Sequence, residues 1–405
     1  MTMLRKISRA AGALTVLGAA IALAFVASAQ EVGTAPRGPN GAPAQVPPAV
    51  DSPSVVDGKV TFRLRAPAAR TVTVSGDFGP DLPLVRDAAG VWSVTVGPLK
   101  PDEYNYNFAV DGVRLTDPSN PNVKIGYVTS TTTSLLHVPG AGPQFYDVQD
   151  VPHGEIRTLL YKSRSNKVTR ELTVYLPPGY EANPTKRYPV LYLLHGYAND
   201  HNSWHRYGRA NDILDNLLAQ KAIKPFIVVM PLGYGGASVN GDGNGAPPAN
   251  AGAFGGDFAL YERDILEDVI PLIDGKYRTV ANRENRAIMG FSMGGMQAGR
   301  FGLGHLETFS YVGIMSAGLV GNPASAAAGP DPIAPLASDA VAANKRLKLL
   351  WIACGVDDSA MAGARQTHEA LQKAGIRHTF VESEGAHHWR VWRRYLRDVS
   401  PLLFR

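Results

Sequence analysis

The sequence predicts an α/β protein in which a mainly parallel sheet is preceded by a small all-β sandwich. Three observations carry this prediction. Alternating polar and apolar residues fill roughly residues 52–137, as in half-buried antiparallel strands. From residue 152 to the end, short apolar runs alternate with helix-like stretches, which is typical of a parallel sheet covered by helices on both faces. Segments rich in Pro, Gly and Ala precede each region, at 30–51 and 138–151, and indicate linkers.

The first 29 residues have the pattern of a cleavable export signal. A basic start and an apolar stretch lead to a small-x-small cleavage site, in the order Arg5, Lys6, Arg9, residues 10–26 and Ala27-Ser28-Ala29. The apolar stretch is short for a membrane-spanning helix, which needs about 20 residues. We therefore expect a secreted or periplasmic protein without a stable membrane anchor.

The composition excludes several classes of protein. With 45% hydrophobic and 19% charged residues, the chain has the balance of a soluble globular protein. Three of its five net positive charges lie in the signal segment, and no dense Lys/Arg run with interleaved aromatics exists, so nucleic acid is not an expected partner. Cys354 is the single cysteine, which excludes an intrachain disulfide, and its apolar surroundings predict a buried strand thiol.

Turn residues separate the alternating runs of the first region, as in an antiparallel sandwich of immunoglobulin-like architecture. These runs lie at 60–65, 72–75, 91–96 and 104–110. Tyr104, Tyr106 and Phe108 fall on one face of the last run, where they would form either a sugar-stacking platform or the sandwich core. Core residues alternate in the same way, so we assign no sugar-binding residue here.

Five apolar runs predict the buried strands of the second region, at 189–194, 226–230, 286–290, 311–316 and 348–354. Helical stretches at 207–219 and 259–274 lie between them. The region is long enough for one sizeable core. Residues 235–256, dominated by Gly, Ala and Asn, predict a long loop of the functional kind, which we expect to border the substrate pocket.

One of these strands leads into a Gly-x-Ser-x-Gly pattern, in the run Arg286-Ala287-Ile288-Met289-Gly290-Phe291-Ser292-Met293-Gly294-Gly295. A strand, this pattern and a helix-compatible segment together form the nucleophile elbow of α/β-hydrolases. Because glycine has no Cβ, the backbone can take the tight turn that exposes the serine hydroxyl. The sequence therefore predicts Ser292 as a nucleophile.

A serine nucleophile needs a base, and in this fold the acid and then the histidine follow it along the chain. His387 lies in the loop after the apparent last strand, where the fold places its base, and we favour it over His388. For the acid, Asp357 and Asp358 both end the strand at 348–354, and spacing does not separate them.

Two backbone donors are needed to hold an oxyanion. We expect them to be the N–H groups of Met293, after the nucleophile, and of Tyr197, after the strand at 189–194. His195 in the same loop is interpreted as a side chain that holds the loop, rather than as a second base. Neither a His-Glu-x-x-His motif nor a cysteine cluster exists, so we expect no metal and no cofactor.

Several segments in order make the region from about 152 to 405 resemble the feruloyl and acetylxylan esterases of carbohydrate esterase family one, close kin of esterase-D-like proteins. The segments are Val151–Glu155, Tyr175–Tyr180, Tyr188–Gly196, Ile213–Leu217, Asp264–Pro271, Arg286–Gly295 and Gly385–Trp392. The resemblance implies Ser292 as nucleophile, His387 as base and, through a Cys-Gly-x-x-Asp pattern, Asp358 as acid. Phe291 and Ala386 depart from the residues often found in the family and change no catalytic group.

The first region is similar to the early-set modules that precede glycogen-branching and debranching enzymes. The run Tyr104-x-Tyr106-x-Phe108-x-Val110-Asp111-Gly112 and the pair Asp117-Pro118 carry this likeness. Such modules also precede esterases of the family, so the resemblance leaves open a glycan contact through the sandwich.

Together these features predict an exported serine esterase that acts on feruloyl or acetyl esters of plant polysaccharide. Trp389 is a candidate for substrate binding, although Trp389 and Trp392 would equally pack beneath the histidine loop. Within hydrolases, the alternatives are a siderophore trilactone esterase and an acyltransferase with the same triad. The alternative from another class is a carbohydrate-binding protein without activity, which an ordered Ser, Asp and His set argues against.

Overall fold

The computed structural model describes residues 49–127, 129, 131–236, 257–321 and 329–405. The predicted export signal, nearly all of the first linker and most of the loop at 235–256 lie outside these ranges. Residues Val50–Arg405 form one compact unit. Within the described part of the chain, every helix is too short or too polar to cross a bilayer.

The first part of the described chain is an antiparallel sandwich of two sheets. Its strands are β1 (Ser54–Val56), β2 (Lys59–Arg65), β3 (Val72–Gly76), β4 (Gly79–Pro83), β5 (Val85–Arg86), β6 (Val91–Val96), β7 (Asp102–Val110), β8 (Val113–Leu115), β9 (Val123–Ile125) and β10 (Thr132–Val138). One sheet has the order β1-β2-β6-β5, and the other has the order β4-β3-β7-β10-β9 with β8 paired to β7.

The aromatic residues of β7 lie in the core between these two sheets. Tyr104, Tyr106 and Phe108 are each at most 2% exposed. The Tyr106 hydroxyl donates to Asp117 Oδ2 over 2.8 Å, which satisfies its polar end. These residues therefore have the core role that their alternation favoured, and none offers a face to a sugar.

The second part of the described chain is a large sheet with helices on both sides. Its strands are β11 (Glu155–Ser163), β12 (Val168–Leu176), β13 (Val190–Leu194), β14 (Ile227–Pro231), β15 (Arg286–Phe291), β16 (Tyr311–Met315), β17 (Leu349–Gly355) and β18 (Thr379–Ser383). Its helices are α1 (Ser203–Arg206), α2 (Ala210–Ala219), α3 (Phe258–Arg263), α4 (Ile270–Lys276), α5 (Met293–Gly304), α6 (Ala334–Ala337), α7 (Ala340–Arg346), α8 (Met361–Lys373) and α9 (Trp389–Val399). A π-helical turn at Asp264–Val269 joins α3 to α4, and 3₁₀ turns lie at Arg283–Asn285 and Ser400–Leu402.

The strand order of the large sheet is β11-β12-β14-β13-β15-β16-β17-β18. The pairs from β14 through β18 are parallel, and the two pairs that involve β12 are antiparallel. Alternate residues of β13 enter two different cores, with Val190, Tyr192 and Leu194 on one face and Leu191 and Leu193 on the other. Because both faces are buried, the strand reads as a continuous apolar run. The predicted fold class is confirmed.

The segment between β10 and β11, which contains nearly all of the predicted linker at 138–151, packs on the second region. The Tyr146 side chain is 2% exposed, and the Arg393 guanidinium lies 4.9 Å from the centre of its ring. The Asn216 side-chain amide donates to the carbonyl oxygens of Phe145 and Asp147, at 3.1 and 2.9 Å. These contacts fix the chain where it passes from the sandwich to the large sheet.

Candidate active site

Ser292 lies at the sharp turn between β15 and α5. Its backbone has φ 55° and ψ −123°, a conformation that is rare for a residue with a Cβ and is held only when the surroundings enforce it. The Ser292 N–H donates to Met315 O over 2.9 Å, which ties the turn to β16. The elbow predicted from the sequence is therefore present.

The two glycines that flank Ser292 are required by close backbone approaches. A Cβ at Gly290 would lie 2.4 Å from Gly294 O, and a Cβ at Gly294 would lie 2.4 Å from His195 O. Both distances are far below a van der Waals contact. The Gly-x-Ser-x-Gly pattern thus lets β15, α5 and the loop after β13 meet at the serine.

His387 joins the serine to an aspartate in one hydrogen-bonded chain. The Ser292 hydroxyl lies 2.9 Å from His387 Nε2, and His387 Nδ1 lies 2.8 Å from Asp358 Oδ1. An imidazole that accepts a hydrogen bond from the Ser292 hydroxyl at Nε2 carries its own proton at Nδ1, directed at the carboxylate. The structure brings these three predicted residues together in the arrangement that a serine nucleophile needs.

The Asp358 carboxylate is buried and ionised. Burial acts to raise its pKa, but the hydrogen bond and the charge of His387, the N–H of Ala360 and the Ser316 hydroxyl together hold the pKa below its usual value. A carboxylate that stays charged at neutral pH can stabilise the imidazolium that forms during acyl transfer. Its neighbour Asp357 is exposed to solvent, so burial separates the two aspartates that spacing left equivalent.

The loop after β13 lies directly against the nucleophile. A Cβ at Gly196 would lie 3.1 Å from Ser292 Cβ, which places the start of the predicted oxyanion loop beside the serine. Met293 is the first residue of α5, so its N–H has no acceptor within the helix and lies at the helix end that favours negative charge. The roles of Met293 and Tyr197 as oxyanion donors stay predictions.

His195 holds this loop with both ring nitrogens. The Gly233 N–H donates to His195 Nε2 over 2.8 Å, and His195 Nδ1 donates to Gly196 O over 2.9 Å. Burial lowers the pKa of His195 to about 4, so the ring is neutral. As expected from the sequence, His195 is a structural residue of the loop and not a second base.

Trp389 is buried, which contradicts the predicted role in substrate binding and favours the alternative of packing beneath the histidine loop. Its ring is 4% exposed and packs edge-on against Trp204 and Phe291, with centroids 5.3 and 4.7 Å apart. Trp392 stacks on Phe291 at 3.8 Å and meets the His387 ring edge-on at 5.0 Å. Both tryptophans therefore pack beneath the histidine loop, and Trp389 does not offer a surface to a substrate.

Ser316 is a residue of the site that the sequence analysis missed. It follows β16 with φ 51°, is 1% exposed, and its Oγ accepts a 2.9 Å hydrogen bond from Trp392 Nε1. Its hydroxyl also helps to keep the pKa of Asp358 low. A serine at the end of a strand matches no motif, so the sequence does not identify Ser316 as a site residue. Its contacts appear only in the fold, where β16, β17 and α9 come together.

A cleft of about 410 Å³ opens at Ser292 and His387. Small residues line most of it, including Ala317, Gly318, Ala360 and Gly363. This volume is within the range of small-molecule sites. In the part of the chain that the structure describes, no group of three or more His, Cys, Asp or Glu residues is arranged to hold a metal ion.

The fold and the hydrogen-bonded Ser292, His387 and Asp358 set are those of an α/β-hydrolase. Residues 163–403 match the family model described as "Putative esterase", and the chain belongs to this esterase family. Residues 49–124 match the model of carbohydrate-binding module 48, the isoamylase N-terminal domain. The family resemblance stated for both regions is thereby confirmed.

Among the curated proteins similar to the chain are two named as xylanases. An endo-1,4-beta-xylanase/feruloyl esterase of Xylanibacter ruminicola is 33% identical over 379 residues, 91% of this chain and 47% of that protein. Endo-1,4-beta-xylanase Y of Acetivibrio thermocellus is 26% identical over 58% of this chain and 22% of that protein. The chain thus spans half or less of the length of these two relatives.

Among solved structures, a ferulic acid esterase is 27% identical with a TM-score of 0.53, over 62% of this chain and 97% of that one. The enterobactin esterase of Shigella flexneri has a TM-score of 0.61 at 18% identity, over 85% of this chain and 92% of that one. At such low identity the second likeness concerns the fold alone.

Proposed function

We propose that this protein is an exported serine esterase that hydrolyses feruloyl or acetyl esters of plant polysaccharide. The observation that carries the proposal is the continuous hydrogen-bonded chain from Ser292 Oγ through the His387 ring to Asp358, at the mouth of a cleft. A family of esterases and relatives named as feruloyl esterases support the choice of substrate.

In the proposed mechanism, Ser292 Oγ forms a bond to the ester carbonyl carbon while His387 Nε2 accepts the hydroxyl proton. The carbonyl π electrons move to the oxygen, which becomes an oxyanion held by the N–H groups of Met293 and Tyr197. When this intermediate collapses, the bond to the alcohol oxygen breaks and that oxygen takes the proton from His387. Water then repeats the same steps on the acyl-serine, which releases the acid and restores Ser292.

The first test of the proposal is the turnover of p-nitrophenyl acetate by purified protein. We expect Ser292→Ala to lower kcat by about 10⁴-fold or more with an unchanged melting temperature, and a serine-directed phosphonate to abolish turnover. The matched control is Ser338→Ala, since Ser338 is an exposed serine whose hydroxyl donates to Pro335 O. Full activity of Ser292→Ala would refute the proposed nucleophile.

A second test compares methyl ferulate, acetylated xylan and a catecholate trilactone as substrates. Release of ferulate or acetate that is lost in Ser292→Ala supports a plant-polysaccharide esterase. Cleavage of the trilactone alone would transfer the proposal to siderophore hydrolysis. An absence of all turnover, together with retention on a xylan or glycogen gel, would favour a binding protein.

Export is tested separately, in cells of a bacterium with a functioning secretion pathway. When the 405-residue sequence is expressed, we expect the protein to be found outside the cytoplasm with Gln30 as its first residue, because cleavage at the small-x-small site removes the chain up to Ala29. N-terminal sequencing of the recovered protein gives the answer. Protein that stays in the cytoplasm with an intact N-terminus would contradict export.

A further inference from the structure

The sandwich contacts the loop that carries the predicted catalytic base. Asp77 lies between β3 and β4, and its Oδ1 is 3.4 Å from His388 Nδ1, next to His387 in the chain. Arg390, two residues further on, donates from Nη2 to Asp77 O over 2.7 Å. One turn of the sandwich therefore holds the residues that directly follow His387.

The same surface of the sandwich anchors the helix that continues from this loop. The Arg390 guanidinium lies 4.3 Å from the centre of the Tyr104 ring. Arg393, one turn along α9, is 1% exposed and pairs with Asp102 and Glu103 of β7. A buried guanidinium that lost these carboxylates would be left as an uncompensated charge, so α9 depends on β7 to keep its position.

A second contact of the sandwich reaches the predicted oxyanion loop. The Tyr127 N–H, just after β9, donates to Ala198 O over 3.1 Å. The Tyr127 ring stacks on Tyr234 with centroids 5.5 Å apart and planes 15° from parallel. The Tyr234 hydroxyl in turn donates to Asn199 O over 3.1 Å, and its side chain packs against Met293. The sandwich thus supports both loops that meet at Ser292.

We propose that the sandwich is a working part of the candidate active site, and that Asp77 is a positioning residue whose carboxylate holds the His387 loop through His388, beside the backbone contact of Asp77 O with Arg390. The proposal rests on the proposed esterase function. It differs from the expectation of a separate glycan-binding module, because such a module acts on a polysaccharide substrate and leaves the turnover of a small ester unchanged. Reacting groups displaced by about 1 Å lose on the order of 10²-fold in rate, so a shift of this loop is measurable.

The test uses full-length protein and p-nitrophenyl acetate, an ester with no glycan part. We expect Asp77→Ala to lower kcat about tenfold, while KM stays within about twofold, because the loop geometry changes and the cleft does not. If Asp77 acts through His388, the double variant Asp77→Ala/His388→Ala should be no slower than the slower single variant.

Two control variants separate positioning from stability. Asp77 Oδ2 also accepts from the Asn105 side chain over 2.7 Å, so Asn105→Ala weakens the same turn without removing a contact to the hydrolase loops. Lys100→Ala removes an ion pair between the sandwich and Glu384 of the His387 loop, but both side chains are solvent-exposed (77% and 73%), so this pair contributes little to holding the loop. We expect both controls to keep kcat within about twofold, and thermal unfolding reports any loss of stability.

The proposal is overturned if Asp77→Ala retains wild-type kcat, or if its kcat falls no further than that of Asn105→Ala. Additive losses in the double variant would refute the route through His388. Failure of the esterase function itself has a different signature, because wild-type protein would then show no turnover sensitive to Ser292→Ala.

Discussion

Two histidine loops meet at Ser292, and they use the same side chain in opposite ways. His195 follows β13, is 1% exposed, and forms hydrogen bonds through both ring nitrogens to backbone groups of Gly196 and Gly233. His387 follows β18, has a side chain that is 35% exposed, and contacts a carboxylate and a hydroxyl. Both loops carry a His next to small residues after a strand of the large sheet, so local sequence hardly separates them.

The difference between the loops shows that hydrogen-bond partners and solvent access decide the role of a histidine. A fully buried ring with two backbone partners has one stable tautomer and no capacity to take a proton. A half-exposed ring between a carboxylate and a hydroxyl can accept the hydroxyl proton at Nε2 while the carboxylate stabilises the resulting charge.

The largest contrast is between His387→Gln and His195→Gln. We expect His387→Gln to lower kcat for p-nitrophenyl acetate by about 10⁴-fold or more, because no other base reaches Ser292 Oγ in the described site. His195→Gln should retain far more activity and lose stability instead. Steady-state kinetics and thermal unfolding of both variants check the contrast. Equal kinetic losses would show that His195 takes part in the chemistry.

Asp358→Asn should have the next largest effect on turnover. An amide at this position would donate to His387 Nδ1 and thereby favour the tautomer with its proton at Nε2, which cannot accept the serine proton. We expect kcat to fall by about 10⁴-fold, as measured with the same ester. Asp357→Asn is the matched control, because Asp357 is exposed, and it should keep kcat within about twofold. A large loss of kcat in Asp357→Asn, with none in Asp358→Asn, would mean that Asp357 is the acid.

Stability at low pH tests the neutral state of His195. Burial lowers its pKa to about 4, from an ordinary value of 6.5. The unfolded chain therefore takes up a proton first as the pH falls, and this site removes up to about 3 kcal/mol from the free energy of unfolding between pH 6.5 and pH 4.

Denaturant unfolding of wild-type protein and His195→Gln at pH 8 and pH 4.5 measures this contribution. We expect the variant to be less stable by about 1–3 kcal/mol at pH 8, because two buried hydrogen bonds are disturbed, and the difference to shrink at pH 4.5. A difference that is constant with pH would mean that His195 has an ordinary pKa.

The smallest effect is expected for His388→Asn. The Asn amide can still reach the Asp77 carboxylate, which lies 3.4 Å from His388 Nδ1, so we expect kcat to stay within about threefold of wild type. His387→Asn is the paired variant and should lose nearly all activity. A loss in His388→Asn as large as that in His387→Asn would reverse the choice between the two adjacent histidines.

Much of the fold and the candidate site could be predicted from the sequence, because each rests on a local pattern. Period-two alternation predicted the sandwich, and continuous apolar runs predicted the strands of the large sheet. Burial of Cys354 followed from its apolar strand, and the structure shows it fully buried, with a pKa raised to about 12 by that burial. Such patterns predict structure well because the residues that form them belong to the same strand or helix.

Other features depended on contacts between distant segments. The sequence leaves Trp389 between substrate binding and packing beneath the histidine loop, and contact with Trp204 from α1 buries it. The place of Ser316 depends on Trp392, 76 residues further along the chain. The segment at 138–151 reads as a linker by composition, but Tyr146 packs beneath Arg393 of α9.

Local patterns in the sequence predict the esterase class, the candidate nucleophile Ser292 and the order of the strands along the chain. Glycine spacing and apolar periodicity are enforced by backbone sterics and burial, which act over a few residues. Contacts between distant segments show which aspartate is buried beside His387, which tryptophans belong to the core, and that the sandwich contacts the loops of both His195 and His387. These outcomes depend on which surfaces meet in space, and a surface composed of separate segments has no signature within any one of them.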